Sequence, residues 1–114
     1  MLKARFSTNE KTGLITLKVN GHANQAEKGK DIVCASATIL SYTVAQIVKN
    51  IYSRGGHKKP PTIKLSEGCA HISCYPTEDA YEEVLYAYLV AQVGFGLLAH
   101  NYPQYVSLTA FGED

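Results

Sequence analysis

The sequence predicts a two-layer α+β sandwich: a mixed β-sheet with two long helices on one face, in the order ββαββαβ. Three observations lead there. Five short stretches alternate apolar and polar residues, the period of a half-buried strand. Two longer stretches repeat apolar residues at three- and four-residue steps, the period of a helix packed on one side. The strand and helix patterns interleave within 114 residues, which fits a single domain spanning 1–114.

Residues 2–8 alternate and form the first strand. The run Asn9-Glu10-Lys11-Thr12-Gly13 has turn chemistry and leads into a second strand that ends at Asn20, so the two pair as a hairpin. There Ile15, Leu17 and Val19 share one face, and Leu14, Thr16, Lys18 and Asn20 the other. From Ile32 the period changes: Val33, Ala37, Leu40, Val44, Ile47, Val48 and Ile51 make one apolar stripe, with Asp31 as N-cap. This helix ends near Tyr52, before a break rich in glycine and proline at 53–61. That break holds Arg54, His57, Lys58 and Lys59, which read as a solvated loop.

Residues 62–67 and 70–75 form a second hairpin about Glu67-Gly68. The second helix opens with Thr77 as N-cap and acidic residues at 78, 79, 82 and 83, where the helix dipole favours negative charge. It runs to about Asn101, with Pro103 beyond it as the stop. Gly94 and Gly96 inside it each cost about 1 kcal/mol against alanine, which a close backbone approach would offset. Two apolar stripes on this helix suggest burial on more than one side, against the sheet and against the other helix or a partner subunit. A last strand, 105–111, closes the sheet, and its direction is left open.

Composition narrows the function. A formal charge of +1 lacks the strongly basic field of a general nucleic-acid binder, so no direct nucleic-acid contact is expected. No apolar run is expected to span a membrane, and the first residues alternate like a strand rather than a leader. Three cysteines are an odd count, which favours reduced thiols and a cytoplasmic setting. Cys69, His71 and Cys74 invite a zinc reading, but on a strand 69 and 71 face away from 74 and no second pair of ligands exists. Neither a metal nor a cofactor is expected.

The chemistry concentrates between residues 21 and 38. His22 stands at a strand end and Cys34 just inside a helix, joined by a polar loop with Gly21 and Gly29 as its hinges. A helix N-terminus or a nearby imidazolium lowers a thiol's pKa from about 8.5, so this arrangement can yield a nucleophilic thiolate. His22 can take the thiol proton and return it to a leaving amine. Thr38 lies one turn beyond Cys34 on the same helix face and can line the site. The loop between the two residues suits equally a lid over the nucleophile and an ordinary connector.

The run Gly21-His22-Ala23, six residues, then Gly29-x-Asp31-Ile32-Val33-Cys34-Ala35 resembles the signature of the ribosomal-processing cysteine proteases, the Prp family. The interval from His22 to Cys34 agrees with that pattern without a gap, and the closing Tyr102-Pro103-x-Tyr105-Val106 resembles it more loosely. The resemblance implies Cys34 as nucleophile, His22 as general base and acid, and Asp31 as a supporting residue at the helix start. It implies a bacterial, dimeric enzyme that removes an N-terminal extension from a large-subunit ribosomal protein, cutting after paired phenylalanines. Thr38 stands where the family usually has serine; it keeps the hydroxyl and adds a methyl, with a narrower site or a shifted substrate choice as the two open consequences. Two alternatives stay open: a protease acting on phage capsid or scaffold proteins, and a non-catalytic binding module of the same fold.

Overall fold

The computed structural model describes residues 1–21 and 28–113, with side chains in the first helix described from Ile32 onward. Five strands and two helices follow in the predicted order: β1 (Leu2–Asn9), β2 (Leu14–Asn20), α1 (Lys28–Ser53), β3 (Thr62–Ser66), β4 (Cys69–Cys74), α2 (Tyr81–Asn101) and β5 (Val106–Thr109).

The sheet order is β3-β4-β2-β1-β5. All neighbours pair antiparallel except β1 and β5, which run parallel from Leu2 opposite Val106 to Arg5 opposite Thr109. The direction left open by the sequence follows from the connection. A parallel partner needs a crossover, and α2 supplies one between β4 and β5.

Strand alternation sets the core. Leu2, Ala4 and Phe6 of β1, Ile15, Leu17 and Val19 of β2, and Ala70, Ile72 and Cys74 of β4 are all buried beneath the helices. From α1 come Val33, Ala37, Val44, Val48 and Ile51, and from α2 Val84, Tyr88, Ala91, Phe95 and Leu98. Phe6 sits at the centre, edge-on to Phe95 at 6.0 Å and to Phe111 at 5.5 Å between ring centroids. Full burial of such a ring is worth about 1.5–3 kcal/mol before its aromatic contacts are counted. The Tyr88 hydroxyl, buried with it, donates to the Ile72 carbonyl at 3.0 Å and lies 3.5 Å from Cys74 Sγ.

Several expectations are corrected. The first helix begins at Lys28, so Asp31 stands within its first turn rather than capping it, and Gly29 lies inside the helix rather than at a loop hinge. An aspartate favours the first turn as much as the cap, so it marks the region of a helix start but not the boundary residue. The second helix begins at Tyr81 with Ala80 at the cap. Thr77 instead accepts the Ala80 amide at 3.3 Å and shapes a turn that precedes the helix. Of the two glycines in α2, only Gly94 marks a close approach: a Cβ there would lie 2.7 Å from Leu40 Cδ2, against 3.7 Å from Leu108 Cδ2 at Gly96.

The basic cluster of the 53–61 loop is dispersed. Arg54 pairs with Glu83 of α2, Lys59 lies over the Tyr75 ring at 4.1 Å, and His57 is buried with Nε2 3.2 Å from the Val48 carbonyl. A carbonyl only accepts, so Nε2 carries a proton in that contact. Burial lowers the His57 pKa below its usual 6.5, opposed by the Val48 and Tyr75 carbonyls.

The membrane expectation also changes. Ile32–Ser53 and Tyr81–Asn101 are both long and apolar enough to cross a bilayer, with mean hydropathies of 1.5 and 1.2. Polar residues punctuate both runs, so neither forms an unbroken apolar stretch. In this fold each lays one core stripe on the sheet and leaves the larger part of its surface uncovered.

Candidate active site

At one end of the sandwich, α1 passes over the ends of β1 and β2 and over the β3–β4 turn. A cleft of about 350 Å³ opens there. Cys34, Thr38, Ser41 and Tyr42 line it from the helix, Leu2, Val19 and Gly21 from the strand ends, and residues 66–70 from the turn. Cys34 and Thr38 are one turn apart, so both reach the same opening. Cys34 is part-exposed and bears a free thiol, the condition for a side chain that reacts with something from solution.

Gly21 fixes the geometry of this end. Its φ of +124° is a conformation side chains rarely adopt, and a Cβ would fall 2.1 Å from the Met1 carbonyl oxygen. Its amide donates to the Gly68 carbonyl at 3.0 Å, tying the end of β2 to the β3–β4 turn. Gly21 is therefore a pinned junction at the cleft, where the sequence suggests a hinge.

The structure thus brings together Gly21, Cys34 and Thr38. His22 follows Gly21 directly in the chain and lies outside the described residues, as does the Asp31 side chain. The loop read as a lid lies there too.

Because the helix begins at Lys28, Cys34 is in its second turn, and its amide is committed to the helix ladder. That register leaves this amide unable to serve as an oxyanion donor. The dipole, which fades within the first turn, also acts on Cys34 less than a capping Asp31 would have implied.

Sequence reasoning missed Ser41, Tyr42, Gly68 and Cys69 as cleft residues. Cys69 enters through its pairing with Asn20, a neighbour relation set by the strand order and not by any local pattern. The other two thiols differ sharply. Cys69 is exposed, whereas Cys74 is buried against Tyr88 and its pKa is pushed up to about 11 by desolvation, which keeps it protonated and inert.

The family model described as cysteine protease Prp matches residues 1–107. The chain belongs to the Prp cysteine protease family. The ribosomal processing cysteine protease Prp of Bacillus subtilis is 33% identical over 48 residues, 42% of this chain and 43% of that protein, so the alignment spans less than half of the relative. In fold, the chain is similar to an essential ribosomal processing protease Prp from S. aureus, solved in complex with a substrate peptide. That match has a TM-score of 0.68 at 20% identity and covers 96% of this chain and 99% of that one. A Streptococcus mutans structure matches at a TM-score of 0.67 and 24% identity, covering 97% and 94%. At these identities the structures establish a shared architecture.

Proposed function

We propose that this protein is a cysteine endopeptidase that removes the N-terminal extension of a large-subunit ribosomal protein, cutting after paired phenylalanines. The observation that carries this is Cys34, a part-exposed thiol in a cleft with Thr38 and Gly21, in a chain of the Prp family. The S. aureus relative has been solved both with a substrate peptide and with a covalently linked product peptide, which supports peptide chemistry at this kind of site.

In this reading His22 accepts the Cys34 proton, and the thiolate attacks the scissile carbonyl. The tetrahedral intermediate collapses as His22 protonates the leaving amine, leaving an acyl-enzyme on sulfur. Water, deprotonated by the same imidazole, then releases the carboxylate product and regenerates the thiol. The place of His22 next to Gly21, itself a cleft residue, supports the pairing. Oxyanion donors come from outside the ladder of α1, and the Thr38 hydroxyl is a donor on the cleft wall. Leu2, Val19, Ala37 and Tyr42 give the cleft an apolar wall suited to an aromatic substrate side chain.

The chain acts as a cytoplasmic homodimer in this account. On α2, Tyr86, Val90, Val93 and Leu97 are 60–70% exposed and form an apolar strip beside Ile39 of α1. A surface of that kind is stable in water when a second subunit covers it.

The test is mass-spectrometric. A peptide with Phe-Phe-Ala inside a ribosomal-type N-terminal extension is incubated with the native protein and with Cys34→Ala and His22→Ala. One cut after the second phenylalanine, lost in both variants, is the expected result. Cleavage that survives Cys34→Ala would overturn the mechanism.

A further inference from the structure

Among the described residues, the face of the sheet opposite the helices carries no secondary-structure layer, and its charge is one-sided. The registers place Arg5 opposite Lys18, Lys18 opposite His71, and His71 opposite Lys64, so four basic residues form one row across β1, β2, β4 and β3. Strands lie about 4.8 Å apart, so the row spans about 14 Å. Beside it runs a row of hydroxyls, Ser7, Thr16, Ser73 and Thr62, from the same registers. The two rows, with Lys59 and Tyr75, line a shallow depression of about 680 Å³.

No strand residue is aspartate or glutamate; the nearest acids in sequence are Glu10 and Glu67, in the turns that end the hairpins. Lys18, Lys64 and Lys59 are exposed, and Arg5 already makes an interaction within the fold. Burial and then the charges of Lys18 and Lys64 lower the His71 pKa below its usual 6.5. Like charges directly opposite one another destabilise a sheet, so such a row has a cost that an anionic ligand would remove.

We propose that this face binds the phosphate backbone of a nucleic-acid strand along Lys18, His71 and Lys64, with Lys59 at its edge. A row of cations flanked by a row of hydroxyls suits phosphodiester oxygens. The face lacks the paired aromatics of a base-stacking sheet, since its one aromatic, Tyr75, is covered by Lys59. Binding is therefore to the backbone, without sequence preference and sensitive to salt. The near-neutral net charge conceals this row because acids outside the strands offset it, four of them between residues 78 and 83 at the start of α2.

The test is fluorescence anisotropy with a labelled twelve-residue oligouridylate, titrated at several salt concentrations. The expected result is saturable binding whose logarithmic salt slope is about −2, from three neutralised phosphates. Lys18→Glu with Lys64→Glu should weaken it at least ~10-fold, two direct phosphate contacts being lost. The same double variant should unfold at a temperature equal to or above the native one, because like-charge contacts are relieved. Its rate of Cys34 alkylation should be unchanged, since the row lies across the sheet from the helices. Should the double variant fail to fold, Lys18→Gln with Lys64→Gln serves the same purpose. Absence of saturable binding, binding indifferent to these variants, or equal competition by a polyglutamate peptide of matched charge would each overturn the proposal.

Discussion

The amide of Gly21 donates to the carbonyl of Gly68 at 3.0 Å, joining the end of β2 to the β3–β4 turn at the mouth of the cleft that holds Cys34. The bond forms because β4 lies next to β2 in the sheet, so the turn preceding β4 meets the end of β2. The chain then leaves Gly21 towards His22, which makes this contact the anchor for the catalytic histidine in the proposed mechanism.

Gly21→Ala tests that anchor. The new methyl meets the Met1 carbonyl in a conformation already unfavourable for a side chain. Strain of this kind costs of order 1–3 kcal/mol. We expect a lower unfolding temperature and a loss of peptidase activity larger than the loss of folded protein, read by comparing calorimetry with initial rates.

Gly94 and Gly96 separate close approach from helix propensity. Gly96→Ala meets only ordinary contact and should raise stability by about 0.5–1 kcal/mol through the gain in propensity. Gly94→Ala pushes against the end of the Leu40 side chain, which can yield, so it should be near neutral. Gly94→Phe should be destabilising, because that side chain cannot fit between α1 and α2. Urea unfolding of the three variants checks the order.

Buried histidine makes folding sensitive to acid. The folded-state pKa of His57 lies below the unfolded value of 6.5, so between the two the unfolded chain binds more protons. Its contribution is complete above about pH 6.5, falls as the pH drops through that range, and levels off below the folded pKa. His71 is shifted in the same direction and adds to the same window. His57→Asn should flatten the pH dependence of unfolding free energy there and leave the His71 share in place.

Much of the fold is legible in the sequence because its signals are local. Alternation at Ile15, Leu17 and Val19 and the helical stripe from Val33 to Ile51 give burial directly. Relations between distant segments are not encoded that way. The parallel pairing of β5 with β1, the entry of Cys69 into the cleft and the basic row across four strands all depend on strand order. The pattern around Asp31 misplaces the start of α1 by one turn because aspartate serves cap and first turn alike. At the site, Cys34, Thr38 and Gly21 come from one motif and are found in one cleft, whereas Ser41, Tyr42 and Gly68 carry no such signature.

The apolar strip on α2 predicts assembly. Val90→Lys places a charge where Val90 is 70% exposed in the single chain and buried in the proposed dimer. Sedimentation should show a dimer for the native protein and a monomer for the variant, with the fold retained by circular dichroism.

The central claim is that Cys34 is an activated nucleophile served by His22. Competitive alkylation at neutral pH, read thiol by thiol by mass spectrometry, tests it within one molecule. Exposed Cys69 is the internal standard and buried Cys74 the protected reference. The account predicts that Cys34 reacts about tenfold or more faster than Cys69, that Cys74 reacts only on unfolding, and that His22→Ala brings Cys34 down to the rate of Cys69. A native Cys34 no faster than Cys69 would contradict it.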